Sequence, residues 1–377
     1  MDLLALFDEM LQKDASDMHL RSNSRPYLRI HGELHPVDET FVSQGSDMEA
    51  LVLGFMNEGQ KRTFYSKYEC DLAITLENKG RFRINVYKQR GEVNVAIRHV
   101  PIQIPTIEQL ALPNVIKKLA ENDRGLVLVT GPTGCGKSST LAAMIDHVNN
   151  NFAYHIITIE DPLEFIHKDK KSIISQRELN IDTLNYPEAL KNVVRQDPDV
   201  VLIGEMRDLE TMQAAMTAAQ LGHFVLSTIH TIDTIQTVSR VVDMFPPHQQ
   251  NQIRLQFADT LKGIVSQRLV PRASGKGLIP AVEVLVATPI IKKYIEENNL
   301  SEIKTVMKQG QYYGMQTFDQ AILKLYQEGK IKLEDGLAAA TSPEDLLLAV
   351  RGIQSSVESA GMATGPTITL ERFDSKK

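Results

Sequence analysis

Leu3, Leu6, Phe7, Met10 and Leu11 recur at intervals of three and four residues, the spacing of one apolar helix face. The period then changes. Met18-His19-Leu20 and Tyr27–Ile30, joined through Ser22-Asn23-Ser24, predict two short paired strands. A second helical stretch covers Asp47–Met56. Cys70–Leu76, Arg81–Tyr87 and Glu92–Arg98 predict three further strands. In the middle one, Phe82, Ile84 and Val86 face one way and Arg81, Arg83, Asn85 and Tyr87 the other, so one sheet face is buried and the other is basic. Pro101, Pro105 and Pro113 break the pattern, and Val100–Thr106 is expected to be an interdomain linker. From Arg124 the apolar runs lose their alternation. Leu126–Thr130, Ile156–Ile159, Val200–Ile203 and Phe224–Thr228 predict strands buried on both faces of a parallel sheet, with helices between them. After about Pro246 the pattern is mostly helical, divided by Gly329, Gly336 and Ser342-Pro343. Ser355–Lys377 has few apolar residues and is expected to be a mobile tail. The fold class is therefore α/β, with two domains and no internal repeat.

Composition narrows this picture modestly. The chain has 377 residues, 42% hydrophobic and 23% charged, which excludes a wholly disordered or collagen-like protein. A net charge of −6 gives no general attraction to nucleic acid or anionic lipid, although local basic patches remain open. The two cysteines, Cys70 and Cys135, cannot build a disulfide framework or a cysteine-rich zinc site, and they fit a reducing compartment. No apolar run approaches the roughly 20 residues needed to span a bilayer. The start, Met1-Asp2-Leu3-Leu4, has acid where a signal peptide has base, so a cytoplasmic location is expected.

The candidate chemistry sits at strand ends. Gly131-Pro-Thr-Gly-Cys-Gly136-Lys137-Ser138 is G-x-x-x-x-G-K-S, following a hydrophobic strand and opening a helix. Such a loop turns successive backbone N–H groups toward phosphate, and the helix start adds partial positive charge. Lys137 can reach the β- and γ-phosphates, and Ser138 can ligate Mg2+. Cys135 is either a thiol activated by the helix start or a small tolerated loop residue. Glu205, in Leu202-Ile-Gly-Glu205-Met-Arg207-Asp208, stands where a nucleotide hydrolase needs an acid for its metal-bound water. Glu160-Asp161-Pro162-Leu163-Glu164 places three carboxylates in five residues, one of which can polarise water; an acidic turn is the plainer account. His223 and His230 flank one strand, too far apart to share a metal.

These four elements, in this order, resemble the secretion ATPases of the type II/type IV pilus superfamily, where they form the Walker A, Asp, Walker B and His boxes. Within it the chain is similar to the type IV pilus retraction ATPases, the PilT/PilU family. Ser16-Asp17-Met18-His19-Leu20, Gly80-Arg81-Phe82-Arg83, Arg195-Gln-Asp-Pro-Asp199 and Gly314-Met-Gln-Thr-Phe-Asp-Gln320 support it, from about residue 3 to 350. The resemblance implies a PAS-like domain over 1–100, a linker at 101–106, a RecA-like ATPase domain with a helical C-terminal part over 107–353, and a tail at 354–377. It implies an ATP-hydrolysing homo-hexamer that powers pilus retraction and twitching motility at the cytoplasmic face of the inner membrane. Its partners would be an inner-membrane platform protein and a second retraction ATPase, with no direct nucleic acid. ATP and Mg2+ are the implied cofactors. Glu164 would be the general base, Glu205 would assist at the metal with Ser138 and Glu160, and His230 would contact the γ-phosphate beside Lys137. Nucleotide contacts would come from Gly131, Thr133, Gly134, Cys135, Gly136, Lys137, Ser138, Ser139, Arg195 and the arginines Arg81, Arg83, Arg90 and Arg98.

The chain also departs from the family. The retraction motif, usually Ala-Ile-Arg-Asn-Leu-Ile-Arg-Glu, is replaced by Thr288-Pro-Ile-Ile-Lys-Lys-Tyr-Ile-Glu-Glu297, which keeps the apolar spacing and loses both arginines. The long tail resembles the accessory PilU type, whereas Pro132 and Gln236-Thr237-Val238 resemble the PilT type. Rival functions are an accessory retraction ATPase, a pilus or secretion assembly ATPase, a non-hydrolysing regulatory subunit and a RecA-like nucleic-acid translocase. The acidic balance argues against the last.

Overall fold

The computed structural model describes residues 3–30, 32–37, 45–76, 79–100 and 103–352; positions 101–102 of the expected linker and the expected tail at 354–377 lie outside them. Contacts divide the chain into two compact units: Met1–Pro105 with Val148–Leu184, and Thr106–His147 with Asn185–Lys377.

The first unit opens with α1 (Leu3–Gln12), which buries Leu3, Leu6, Phe7 and Met10 as their spacing requires. Then come β1 (Asp17–Arg21), β2 (Tyr27–Ile30), β3 (Glu33–Pro36), α2 (Gly45–Leu53), α3 (Glu58–Lys67), β4 (Glu69–Leu76), β5 (Gly80–Gln89) and β6 (Glu92–Val100). All six strands pair antiparallel, in the order β3-β2-β1-β6-β5-β4. Phe82, Ile84 and Val86 of β5 join Leu6, Phe7, Met10 and Met18 in one core. The sequence pattern missed α3 because Phe64 is its buried residue; a capping box between Asn57 and Gln60 marks its start.

Next in the chain are α4 (Val115–Ala120), β7 (Gly125–Thr130) and α5 (Lys137–Asn151). β8 (His155–Glu160) and β9 (Ile173–Glu178) belong to the first unit and run parallel to each other. The second unit resumes with α6 (Tyr186–Val193), β10 (Val200–Ile203), α7 (Leu209–Gln220), β11 (Phe224–Ile229), α8 (Thr234–Asp243), α9 (Pro247–Thr260), β12 (Leu261–Pro271) and β13 (Leu278–Val286). In that unit β12, β7, β11 and β10 are parallel neighbours, and β13 lies antiparallel on β12. Every residue of β7, β10 and β11 is buried, which explains their largely apolar runs; Ser227 and Thr228, the polar pair in β11, donate to backbone carbonyls. The chain ends in α10 (Pro289–Glu296), α11 (Leu300–Gln309), α12 (Phe318–Gln327), α13 (Leu333–Ala339) and α14 (Pro343–Val350).

The region after Pro246 is mostly helical, as expected, with β12 and β13 as two strands that the pattern did not show. Ser266 and Gln267 interrupt the apolar run of β12, yet both are buried, because each finds a polar partner inside. Gly336 does not divide helices. It lies inside α13, where an added Cβ would stand 3.1 Å from Ile322, so it serves close packing. The replaced retraction motif forms α10, which buries Ile291 and Ile295.

Candidate functional site

Parallel strands direct their C-terminal ends to one edge of the sheet, and the loops leaving those ends build the site. In the second unit these are the loops after β7, β10 and β11.

After β7 the chain enters the phosphate loop through Gly131, whose φ is +141°. A Cβ there would stand 2.5 Å from the Gln267 carbonyl oxygen and 2.6 Å from Cys135 Sγ, so only glycine fits. Gly134 and Gly136 have φ of +79° and +94° and face open space. Lys137 is buried and donates to the carbonyls of Gly131 (2.9 Å) and Pro132 (3.0 Å), so its ammonium lies within the loop curve. Thr133 is exposed, and Ser138 and Ser139 at the start of α5 are half-buried. Cys135 is 3% exposed, and burial pushes its thiol up against the partial pull of Lys137. This removes the activated-thiol alternative: the residue packs under Gly131.

The loop rests on residues that the motif does not contain. Thr130 Oγ1 and Ser266 Oγ share a hydrogen bond of 2.7 Å, and Gln267 Nε2 donates to Thr140 Oγ1 at 2.8 Å. All four are buried. The sequence offered no signal for them beyond the polar interruption in β12.

β10 and β11 bring Glu205 and His230 together. Ser227 donates to the Ile203 carbonyl, Thr228 to the Gly204 carbonyl, and the Met206 amide to the Thr228 carbonyl, at 2.8, 2.8 and 3.0 Å. Glu205 then meets His230 Nε2 at 3.1 Å and Arg207 Nη2 at 2.7 Å. Burial alone would raise the Glu205 carboxyl, but the bond to Arg207 and the charges of His230 and Arg207 outweigh it and leave it below its ordinary value. Glu205 is thus held as a carboxylate. Arg207 was visible in the sequence cluster without a role. His223, at the opposite end of β11, bonds the Pro198 carbonyl at 2.8 Å. Arg195 is exposed after α6 and lines an open groove of about 520 Å³ with Lys191, Glu188 and Glu210.

The acidic loop lies in the first unit. Glu160 ends β8, and its Oε1 accepts from Thr158 (2.8 Å) and Gln176 (3.3 Å). Burial raises its carboxyl to about 7 despite those bonds. Glu164 is exposed. The arginines of the basic face divide. Arg81 is bound to Glu178 at 2.5 Å, with both side chains largely buried. Arg83 and Arg98 stand opposite each other on β5 and β6, where burial and then the Arg98 charge lower Arg83. Arg98 also bonds Asp17 at 2.7 Å. They border a cavity of about 880 Å³ with Asp71, Asn85, Asp161 and Asn180. Arg90 is exposed at the hairpin tip (φ +54°), nine residues along the strand from Arg81, or about 30 Å. The structure therefore brings Arg83 and Arg98 together, engages Arg81 with an acid, and places Arg90 at the far end of the sheet.

Comparison with known proteins agrees with the motif order. The family described as Type II/IV secretion system protein matches residues 2–335. The type IV pilus ATPase PilU of Pseudomonas aeruginosa is 41% identical over 365 residues, covering 97% of this chain and 95% of its own. The type IV pilus retraction ATPase PilT of the same bacterium is 38% identical over 345 residues, covering 92% of this chain and 100% of its own. A crystal structure of the pilus retraction motor PilT with bound ADP aligns with a TM-score of 0.86 at 40% identity, covering 92% of this chain and 98% of that one.

Proposed function

The chain belongs to the type II/IV secretion system protein family, and we propose that it is an ATP-hydrolysing motor that powers type IV pilus retraction. The observation that carries this reading is the phosphate loop at the end of β7, with Lys137 drawn beneath it, in a chain 40% identical to a retraction motor solved with ADP.

The glycine-permitted backbone of 131–136 cradles phosphate through its N–H groups, and Lys137 places positive charge at the β- and γ-phosphates. Thr133, Ser138 and Ser139 complete the polar lining. Glu164 takes the proton of the attacking water, and its exposure leaves it accessible to that water. His230, fixed by Glu205, contacts the γ-phosphate. Arg83 and Arg98 supply charge from a neighbouring copy, as a paired basic face can. Arg81 is committed to Glu178, and we assign it a supporting role.

The oxygen donors Ser138 and Glu205 suit a hard cation, and a magnesium ion held there would neutralise phosphate charge. Glu160 is the poorer ligand, since its Oε1 already accepts two donors.

We divide the chain into a domain at 1–100, a linker at 101–106, an ATPase domain at 107–353 and a tail at 354–377, and we assign a homo-hexamer. Among the described residues no helix is long and apolar enough to cross a membrane. On the likeness to the PilT and PilU motors, we place it at the cytoplasmic face of the inner membrane, docked on a membrane-embedded pilus platform and working beside a second retraction ATPase.

The longer match to PilU, 365 against 345 residues, favours a second reading as an accessory retraction ATPase. Two experiments test both. Purified protein should release phosphate from ATP, and Lys137→Ala should abolish release without lowering the melting temperature; normal turnover in that variant overturns the site. Deleting the gene should leave excess pili without twitching. Bald cells would point to assembly, and wild-type twitching that becomes weak only under load would point to the accessory role.

A further inference from the structure

The backbone around Glu164 is held at three consecutive residues. The Leu163 amide faces the Glu178 carboxylate. The Glu164 amide donates to the Glu160 carboxylate. The Phe165 carbonyl accepts from Gln176 Nε2 at 2.9 Å. Gln176 then does more than this one bond. The same nitrogen reaches Glu160 Oε1 at 3.3 Å, and its Oε1 accepts from the His167 amide at 2.8 Å. One side chain thus offers residues 165 and 167 the donor and acceptor that a paired strand would offer. Glu178, two residues on, projects from the same face of β9 and is itself braced by Arg81 at 2.5 Å.

We propose that Gln176 is a positioning residue for the general base: by tying Glu160, Phe165 and His167 together it fixes the loop on both sides of Glu164. The inference rests on the reading of Glu164 as the base and adds the device that aims it. Residues 161–166 lie in neither helix nor strand, and the Glu164 side chain is exposed, so neither a backbone ladder nor close packing orients it. A base must hold its geometry to within about 0.5 Å, and a displacement of about 1 Å costs on the order of 100-fold in rate. The residue types agree. Half-buried polar side chains on a strand are costly unless their bonds are made, and here the bonds of the Gln176 amide go to residues 160, 165 and 167, on either side of Glu164.

The test uses the full-length protein and Gln176→Met, which keeps length and volume and removes all three bonds. The expected result is a fall in kcat of about tenfold or more with KM for ATP and ADP affinity changed less than about twofold. On a Glu164→Gln background the same change should cost nothing further in residual hydrolysis. Wild-type kcat in Gln176→Met, a parallel loss of nucleotide affinity, or an additive loss on the Glu164→Gln background each overturns the inference. Wild-type hydrolysis by Glu164→Gln alone overturns the base assignment itself, and the inference with it. If Gln176→Met does not fold, amide hydrogen exchange of the wild type decides: the Glu164 and His167 amides should be protected like those of β8, and exchange at loop rates overturns the proposal.

Discussion

At Gly131 a single β-carbon decides whether the phosphate loop can close. Alanine there would take a φ of +141° and meet the Gln267 carbonyl at 2.5 Å, a backbone atom that cannot turn aside. At Gly134 the φ is +79° and the space is open. Gly131→Ala should therefore cost upwards of about 2 kcal/mol, and Gly134→Ala only about 1 kcal/mol. Urea unfolding of the nucleotide-free protein measures both, and equal costs would mean that β12 does not press on the loop. Glu160 carries a pH dependence. Burial raises its carboxyl from an ordinary 4.5 to about 7, so the folded state holds the proton more tightly than the unfolded chain does. Its contribution is fully present below about pH 4.5 and is lost as pH rises through 7. The stability of the wild type relative to Glu160→Gln should thus fall between pH 5 and pH 8. Melting curves at the two pH values check this, and a pH-independent difference would place the residue in water.

Elements, unlike single residues, announce themselves by period, and legibility here follows burial. β7, β10 and β11 are wholly buried, so their apolar runs could be read directly, and with them the motif loops at their ends. β5 was legible because Phe82, Ile84 and Val86 alternate with polar neighbours. β9 and β12 were not. Gln176 spends its side chain on partners 9 to 16 residues away, and Glu178, Ser266 and Gln267 on partners 97, 136 and 127 residues away, which no local pattern reveals. The same limit applied to the site. The loop motif named Lys137 and Ser138, but the supports Thr140, Gln267 and Gln176 are defined only once the chain has folded. The Thr140–Gln267 pair yields a prediction at this scale. Both residues are buried, so Thr140→Val orphans the Gln267 amide and should destabilise by about 1–3 kcal/mol. Adding Gln267→Leu removes the orphan and should recover part of that loss. A double-mutant cycle in denaturant checks it, and strictly additive costs would mean the two side chains do not interact.

For the whole molecule the question is whether the proposed ring works as six motors or as one. The residues that serve a single site, on the reading above, come from more than one copy, because Arg83 and Arg98 belong to a sheet face that supplies charge to a neighbour's nucleotide. Whether a subunit that cannot bind phosphate harms more than its own turnover can be counted. Lys137→Ala removes the buried ammonium under the loop and leaves the sheet and the arginine face intact. If sites fire independently, rings assembled from equal amounts of wild-type and variant subunits retain about half the wild-type activity. If one dead site stops the ring, only rings of six wild-type subunits work, and about 2% remains, since each position is filled at random. Phosphate release measured across a series of mixing ratios separates a straight line from a steep curve. We expect the steep curve, with activity falling well below the fraction of wild-type subunits. Arg83→Ala subunits should poison in the same way, although their own phosphate loop is complete. A linear dependence for Lys137→Ala would mean uncoupled sites, and a linear dependence for Arg83→Ala alone would mean that losing Arg83 does not stop a site.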